Sequence, residues 1–316
     1  MNLNNSLIGV IYMKLNNEIL NFITKLFNES NLNRLPEKFG MGKIFSYPII
    51  GIASGNDYIF QRFKEVVGAE HYTPIEMWIN NNKPLVPMET LRVISIVFPF
   101  TNEIREASLD PITYHGFKLP AEIYSIARNY ANSFKILVMQ ECINYLETLG
   151  FQATTGMLSK QFTIIAKERF YSTWSERHIA FAAGLGTFSL QDALITEAGC
   201  NVRLASIITD APVSITNRKD DDPFSNCLFY SNGTCKECIN KCPALAISKD
   251  GHDKMKCNEY RLKVARRMIP RLEGILKPYS RRINWKDRED TFPVGCAFCQ
   301  FGVPCMDKNP TRKEFE

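Results

Sequence analysis

Histidine is scarce in this chain of 316 residues. There are four, His71, His115, His178 and His252, and no two stand in metal-ligand spacing. That pattern assigns no histidine-ligated metal. No apolar run approaches the roughly 20 residues that a membrane-spanning helix needs. The short apolar run from Ser6 to Tyr12 has no basic stretch before it and no small-residue cleavage site after it. With no twin-arginine start either, a signal peptide is not expected, and the reading is a cytoplasmic protein. Met13-Lys14-Leu15 offers an alternative start, which would leave the first twelve residues as an unstructured extension. Charge of one sign is not in large excess. A net charge of +5 does not by itself imply nucleic acid. Cysteine is almost missing from the first two thirds: only Cys142 and Cys200 precede Cys227. Both lie in apolar or mixed surroundings and read as buried structural thiols.

The last third is where cysteine is concentrated. The central motif is Cys235-Lys-Glu-Cys238-Ile-Asn-Lys-Cys242-Pro243, with Cys227 before it and Cys257, Cys296, Cys299 and Cys305 after it. Two-cluster bacterial ferredoxins carry C-x2-C-x2-C-x3-C-P, whose last cysteine ligates the other cluster. Here the latter part of that run is intact. Asn232 stands at the first position, and Cys227 is the nearest substitute. Close spacing lets thiolates converge on one cubane from a tight loop, and Pro243, without an N–H, turns the chain away. Eight cysteines make two sets of four. Crossed pairing gives one [4Fe–4S] cluster Cys227, Cys235, Cys238 and Cys305, and the other Cys242, Cys257, Cys296 and Cys299. Zinc is the main alternative, because C-x2-C pairs also build zinc sites. Disulfides are not expected without a secretory signal in a chain long enough to bury a core.

Length suggests two domains, and composition shifts near residue 215. Before it, Asn16–Asn28 has helical periodicity, and Thr90–Phe100 is a β-branched apolar run that ends at Pro99. Residues 120–149 read as one long helix between Pro120 and Gly150. Residues 162–166 and 204–208 read as strands, and 176–185 as a helix that stops at Gly184 or Gly186. Strands alternating with helices argue for an α/β (α+β) layered domain over 1–215. The charged linker Arg218-Lys-Asp-Asp-Asp-Pro223 then leads into the cysteine-rich region, 216–316.

A second motif runs Trp174-Ser-Glu176-Arg177-His178, then Ala183-Gly184-Leu185-Gly186-Thr187, Leu194-Ile195, Ala198-Gly199 and Thr209-Asp210. Alone, Gly-Leu-Gly is weak, since helices commonly end in glycine. Followed by the cysteine pattern, by Cys257-Asn-Glu-Tyr260 and by Gly295-Cys296-Ala-Phe-Cys299-Gln300, it is far more specific. In these residues the chain resembles the epoxyqueuosine reductase and reductive dehalogenase group of corrinoid iron–sulfur proteins. The resemblance spans about residues 45–310 and is sharp from Trp174 onward. It implies a nitroreductase-like cobalamin-binding domain followed by a ferredoxin-like domain with two [4Fe–4S] clusters. It also implies electron flow from donor to outer cluster, inner cluster, cobalt and substrate. By position it makes Glu176, Arg177, His178, Gly184, Leu185, Gly186 and Thr187 candidates for contact with the cofactor.

The chain departs from that family in places. The family closes with C-x2-C-x3-C-P, whereas here Cys299-Gln-Phe-Gly-Val-Pro304-Cys305 leaves a longer gap. Epoxyqueuosine reductases place an aspartate proton donor where Phe170 and Tyr171 stand here. Reductive dehalogenases use a tyrosine, which makes Tyr171 the candidate acid and Tyr130 a second choice; a phenol both donates a hydrogen bond and can give up its proton. Many bacterial epoxyqueuosine reductases add a helical-repeat extension that helps hold tRNA, and none follows Cys305. The basic stretch 254–288 contains Arg261, Lys263, Arg266, Arg267, Arg271, Lys277, Arg281 and Arg282. It could track tRNA phosphates, dock an acidic ferredoxin or flavodoxin-type donor, or be a solvated helix with structural ion pairs. The expectation is donor docking. The leading reading is a cobalamin-dependent reductase that removes oxygen or another leaving group from a small molecule or a tRNA nucleoside. Epoxyqueuosine reduction on tRNA, a ferredoxin-type carrier without corrinoid, and a flavin (FMN) enzyme of the same fold are the alternatives.

Overall fold

The computed structural model of the chain describes residues 2–166, 170–219, 221–278 and 292–312, with side chains from residue 13 onward. Helix α1 (Asn2–Glu29) is longer than the periodicity of 16–28 predicts, and it takes in the residues expected to be an unstructured extension. No proline precedes Pro36, so nothing in the backbone stops the helix from continuing toward its N-terminus. Strand β1 (Ile49–Ser54) follows, then α2 (Ile59–Val66) and α3 (Pro74–Asn80). A capping box opens α3: Thr73 Oγ1 accepts from Glu76 N, and Glu76 Oε2 accepts from Thr73 N at 2.8 Å. Strand β2 (Arg92–Pro99) leads to α4 (Asn102–Ala107) and to a hairpin of β3 (Ile112–Tyr114) and β4 (Phe117–Leu119). Helix α5 (Glu122–Thr148) fills the span expected of it, and Gly150 behind it takes a φ of +88°.

The chain then forms β5 (Ala153–Thr154), the antiparallel pair β6 (Ile164–Ala166) and β7 (Phe170–Ser172), and α6 (Glu176–Ala182). The pair β8 (Gly186–Phe188) and β9 (Leu194–Thr196) precedes β10 (Val202–Thr209). Short elements complete the chain: α7 (Leu228–Asn232), α8 (Glu237–Lys241), the hairpin β11 (Ile247–Ser248) with β12 (Gly251–His252), and α9 (Lys254–Arg271). Among the described residues no helix is long and apolar enough to cross a membrane.

The main sheet has the order β1-β2-β10-β5 and is antiparallel throughout, which places this mixed helix-and-strand fold on the α+β side. The two central strands are buried on both faces, as their β-branched runs require. Strand alternation assigns the faces. Phe98 meets Phe27 of α1 and Phe134 of α5, with ring centroids 5.0 Å apart for Phe27–Phe98 and for Phe27–Phe134. On the other face Gly51, Ser95 and Ser206 lie side by side in register. This row of small residues lets α6 come close: a Cβ on Gly51 would sit 2.4 Å from Ala183 O. Trp174, just before α6, donates from Nε1 to Ser206 Oγ at 2.9 Å.

The main core extends into the C-terminal region. Val264, Met268 and Leu272 of α9 and the turn after it are buried in it. A second, smaller cluster gathers Leu190, Ala193, Ile195, Cys200, Cys227 and Ile247 beneath α7 and α8.

Candidate metal and cofactor site

All ten cysteines are free thiols, so no disulfide forms. Four of them, Cys227, Cys235, Cys238 and Cys305, line one small pocket together with Leu228, Phe229 and Pro304. Cys227 caps α7, Cys238 lies in α8, and Cys305 comes from the closing loop. Burial, then the neighbouring Cys305, Cys227 and Cys235, push the Cys238 thiol up to about 12. Cys242 caps the end of α8 in an extended conformation, which turns the chain after it out of the helix. Its charge would act on Cys296 and Cys299. Burial and then, among other influences, Cys257 and Cys242 push Cys296 up to about 12. Burial and then Cys296, Cys257, Cys242 and Cys238 act in the same direction on Cys299. Among the described residues no three His, Cys, Asp or Glu side chains converge on a single-ion site. A zinc ion would need its sulfur ligands at about 2.3 Å from one point.

Cys200 is buried, as expected of a structural thiol, but it is not remote from these groups. Its Sγ lies 3.8 Å from Cys305 Sγ, and its N–H donates to Cys305 O at 2.7 Å. The hydrogen bond from Cys200 lowers the Cys305 thiol below its usual value. Nothing in a sequence separation of 105 residues signals this contact.

Cys257, Cys296 and Cys299 open onto a groove of about 480 Å³. Phe162 and Trp174 give it apolar wall, and Arg128, Lys135, Arg203 and Arg261 give it positive charge. Lys135 is buried, with Nζ 3.7 Å from Met157 Sδ. Two buried groove atoms, Gln191 Oε1 and Gln300 Oε1, have no hydrogen-bond partner among the described residues. Lys135 and Gln191 carry no signal in the sequence, because single polar residues inside apolar segments do not announce where they point. His252 also lines the groove, and its Nδ1 is 3.2 Å from Asp192 Oδ2. Burial opposes its charge, but bonding to Asp192 and Cys257 raises it to about 9. Burial likewise opposes the charge on Asp192, yet His252 and Lys254 hold it at about 2.

Tyr171, on β7, lines both this groove and a second cavity of about 610 Å³. Its hydroxyl donates to Glu70 Oε2 at 2.5 Å. Its ring lies where a Cβ on Gly68 would come within 2.2 Å, so only glycine leaves it room. Glu176 faces the groove, Arg177 borders both cavities, and His178 faces the second. Arg177 is buried and donates to Asp192 O. Burial, then the charge of Arg177, holds His178 well below its ordinary value, so its Nδ1 partner Ser175 Oγ, 2.7 Å away, meets a neutral ring.

Gly184, Leu185, Gly186 and Thr187 lie elsewhere, along a third cavity of about 240 Å³. Gly184 closes α6 at a φ of +73°, and a Cβ on Gly186 would reach 2.2 Å from Ile195 O. These glycines have structural duties that need no cofactor. Tyr130 lines neither of the cavities that Tyr171 lines; its hydroxyl donates to Ile275 O at 2.9 Å and ties α5 to the segment after α9.

The basic stretch is largely engaged within the molecule. Arg267 stacks over Phe117 at 4.3 Å, and Arg271 pairs with Glu122 at 2.7 Å. Lys263 pairs with Glu259 at 2.7 Å, Arg261 bonds Asn258, and Lys277 stacks on Tyr130. The remainder, from 279 to 288 with Arg281 and Arg282, lies outside the described residues.

No family model matches the sequence, and no curated protein does. Solved structures do match, and they fall in the two groups that the motifs resemble. One is an epoxyqueuosine reductase with an epoxyqueuosine-modified tRNA-Tyr stem loop, at 13% identity and a TM-score of 0.49, over 93% of this chain and 66% of that one. Another is the epoxyqueuosine reductase of Streptococcus thermophilus, at 14% identity and 0.46, over 84% and 65%. A third is a reductive dehalogenase whose structure is described with a B12-dependent mechanism, at 17% identity and 0.41, over 67% and 27%. The chain thus spans about two thirds of the first two and about a quarter of the third.

Proposed function

We propose that this chain is an iron–sulfur reductase that passes single electrons through two [4Fe–4S] clusters to a cobalamin held in the groove. One observation carries the reading: Cys227, Cys235, Cys238 and Cys305 line one small pocket, and Cys257, Cys296 and Cys299 open onto a groove of about 480 Å³. Neighbouring thiols repel one another as thiolates, and iron cations among them would remove that cost. In a cubane each sulfur binds a different iron, so the set need not close on one point as it must for zinc. Cys227, Cys235, Cys238 and Cys305 would hold the outer cluster. Cys242, Cys257, Cys296 and Cys299 would hold the inner one.

The groove suits a corrin in chemistry. Cobalamin carries a rim of carboxamides, and Gln191 Oε1 and Gln300 Oε1 are buried acceptors without partners among the described residues. Cobalamin would supply a low-valent metal for reductive deoxygenation or elimination. The chain's own residues would do the rest. Trp174 and Phe162 exclude water from the groove wall, Glu176 and Arg177 orient polar groups at its edge, and Tyr171 holds a proton at its hydroxyl. Reduction of epoxyqueuosine in tRNA is one form of this chemistry; accumulation of epoxyqueuosine in a deletion strain would support it, and normal queuosine would sink it.

Anaerobic reconstitution followed by cobalamin titration tests the reading. The expected result is about eight irons per chain, as two cubanes require, and one-to-one conversion of cobalamin to its base-off spectrum. Two clusters without cobalamin binding would instead leave an electron carrier or a flavin enzyme.

A further inference from the structure

We infer that the electron donor docks on the face around α8, not on the basic helix α9, and that the donor is an acidic ferredoxin-type protein. This rests on the proposed assignment of the outer cluster. Three observations converge on α8. The first is access. Cys235 and Cys238 are half-buried at this face. Exposed Pro304 lies over the pocket of Cys227, Cys235, Cys238 and Cys305. An electron arriving at this face meets the outer cluster first.

The second is charge. Residues 228–250 contain Lys236, Lys241 and Lys249 against two acids, Glu237 and Asp250. All three lysines are exposed, and among the described residues none has an ion pair. On α9, by contrast, Lys263 and Arg271 pair with Glu259 and Glu122 and Arg267 stacks over Phe117, so that of its exposed basic residues Arg266 is the one without an ion pair among the described residues. Charges free of internal partners steer an acidic protein more strongly than charges already neutralised.

The third is apolar surface. Leu245, in the turn after α8, is 81% exposed and sits at a φ of +50°, a conformation that disfavours leucine. Leu109 is 44% exposed and lies beside Lys241 at Gly302. A Cβ on Gly302 would come 3.1 Å from Lys241 Nζ and 3.6 Å from Leu109 Cδ2, so glycine keeps this spot flat. Apolar contacts at the centre with lysines at the edge make an interface that is short-lived and salt-sensitive, as electron transfer between carriers requires. The step itself is simple. One electron leaves the donor's reduced cluster and enters the outer cluster; no bond forms or breaks.

The test uses the full, iron-loaded chain with a purified acidic ferredoxin as the probe. Lys236→Glu/Lys241→Glu should keep the iron content and the EPR of both clusters, and should be reduced by dithionite at the wild-type rate. Its reduction by reduced ferredoxin should slow at least tenfold, and its affinity for oxidised ferredoxin should fall by a similar factor. Wild-type rates should drop with added salt, and the double variant should lose most of that dependence. Arg266→Glu, on α9, should change none of these. Unchanged ferredoxin kinetics in the double variant, or a slowing in Arg266→Glu alone, overturns the docking site. A wild-type chain that takes up no iron overturns the cluster assignment itself.

Discussion

The hydroxyl of Tyr171 and the carboxylate of Glu70 are 101 positions apart in sequence and 2.5 Å apart in space. Glu70 is exposed, so it can exchange protons with solvent while Tyr171 borders the groove. Tyr171→Phe should retain cobalamin binding and lose turnover on an artificial aryl bromide by on the order of 100-fold, the lower range for a positioned acid. Glu70→Gln should lose less and move the pH profile. Unchanged turnover in Tyr171→Phe would remove the residue from the chemistry. His71 makes a different prediction. Burial, then Lys64, lower it to about 4, and its Nε2 accepts from Ser175 N at 3.1 Å. A histidine held neutral stabilises the fold fully above its unfolded value near 6.5, and that contribution is lost as pH falls toward 4. The loss is on the order of 3 kcal/mol. His71→Gln keeps an acceptor without the titration, so thermal unfolding between pH 6.5 and 4 should show a shallower slope than in the wild type.

At the scale of elements, α6 depends on the absence of side chains opposite it. Gly51→Ala should cost about 1–3 kcal/mol by overpacking, visible as a lower Tm. Gly42→Ala, with open space around it, should be neutral or slightly stabilising. Elements of this size are also where the sequence is most readable. The β-branched run 90–100 yields β2, and Pro120 and Gly150 bracket α5, because hydrophobic period and backbone punctuation act locally. Three-residue strands such as β7 leave too few positions for a period. The basic run of α9 shows a different limit. Its charges are visible, but Phe117, Tyr114 and Glu122, which absorb them, come from another part of the chain. The same holds for Cys200 beside Cys305 and for the groove glutamines. Residue type is local information, whereas partnership is set by the fold.

The molecule as a whole is unevenly supported. The antiparallel sheet and its helices carry the large core, which also claims α9 through Val264, Met268 and Leu272. Beneath α7 and α8 there are only a handful of apolar residues among thiols. Stripping iron with a chelator and an oxidant should therefore leave residues 49–209 resistant to limited proteolysis and open 223–253 to cleavage, with mass spectrometry of the fragments as the readout. Equal resistance throughout would mean that the cofactors bear no structural load. Helix α8 adds one more consequence. It is five residues long, yet on the proposed assignment Cys238 within it and Cys242 at its end serve different sets of four. Whatever removes one cofactor unsettles the shared turn that anchors the other. A half-filled chain would therefore be short-lived, and loading would be cooperative, with repair after oxidative damage rebuilding both centres or neither.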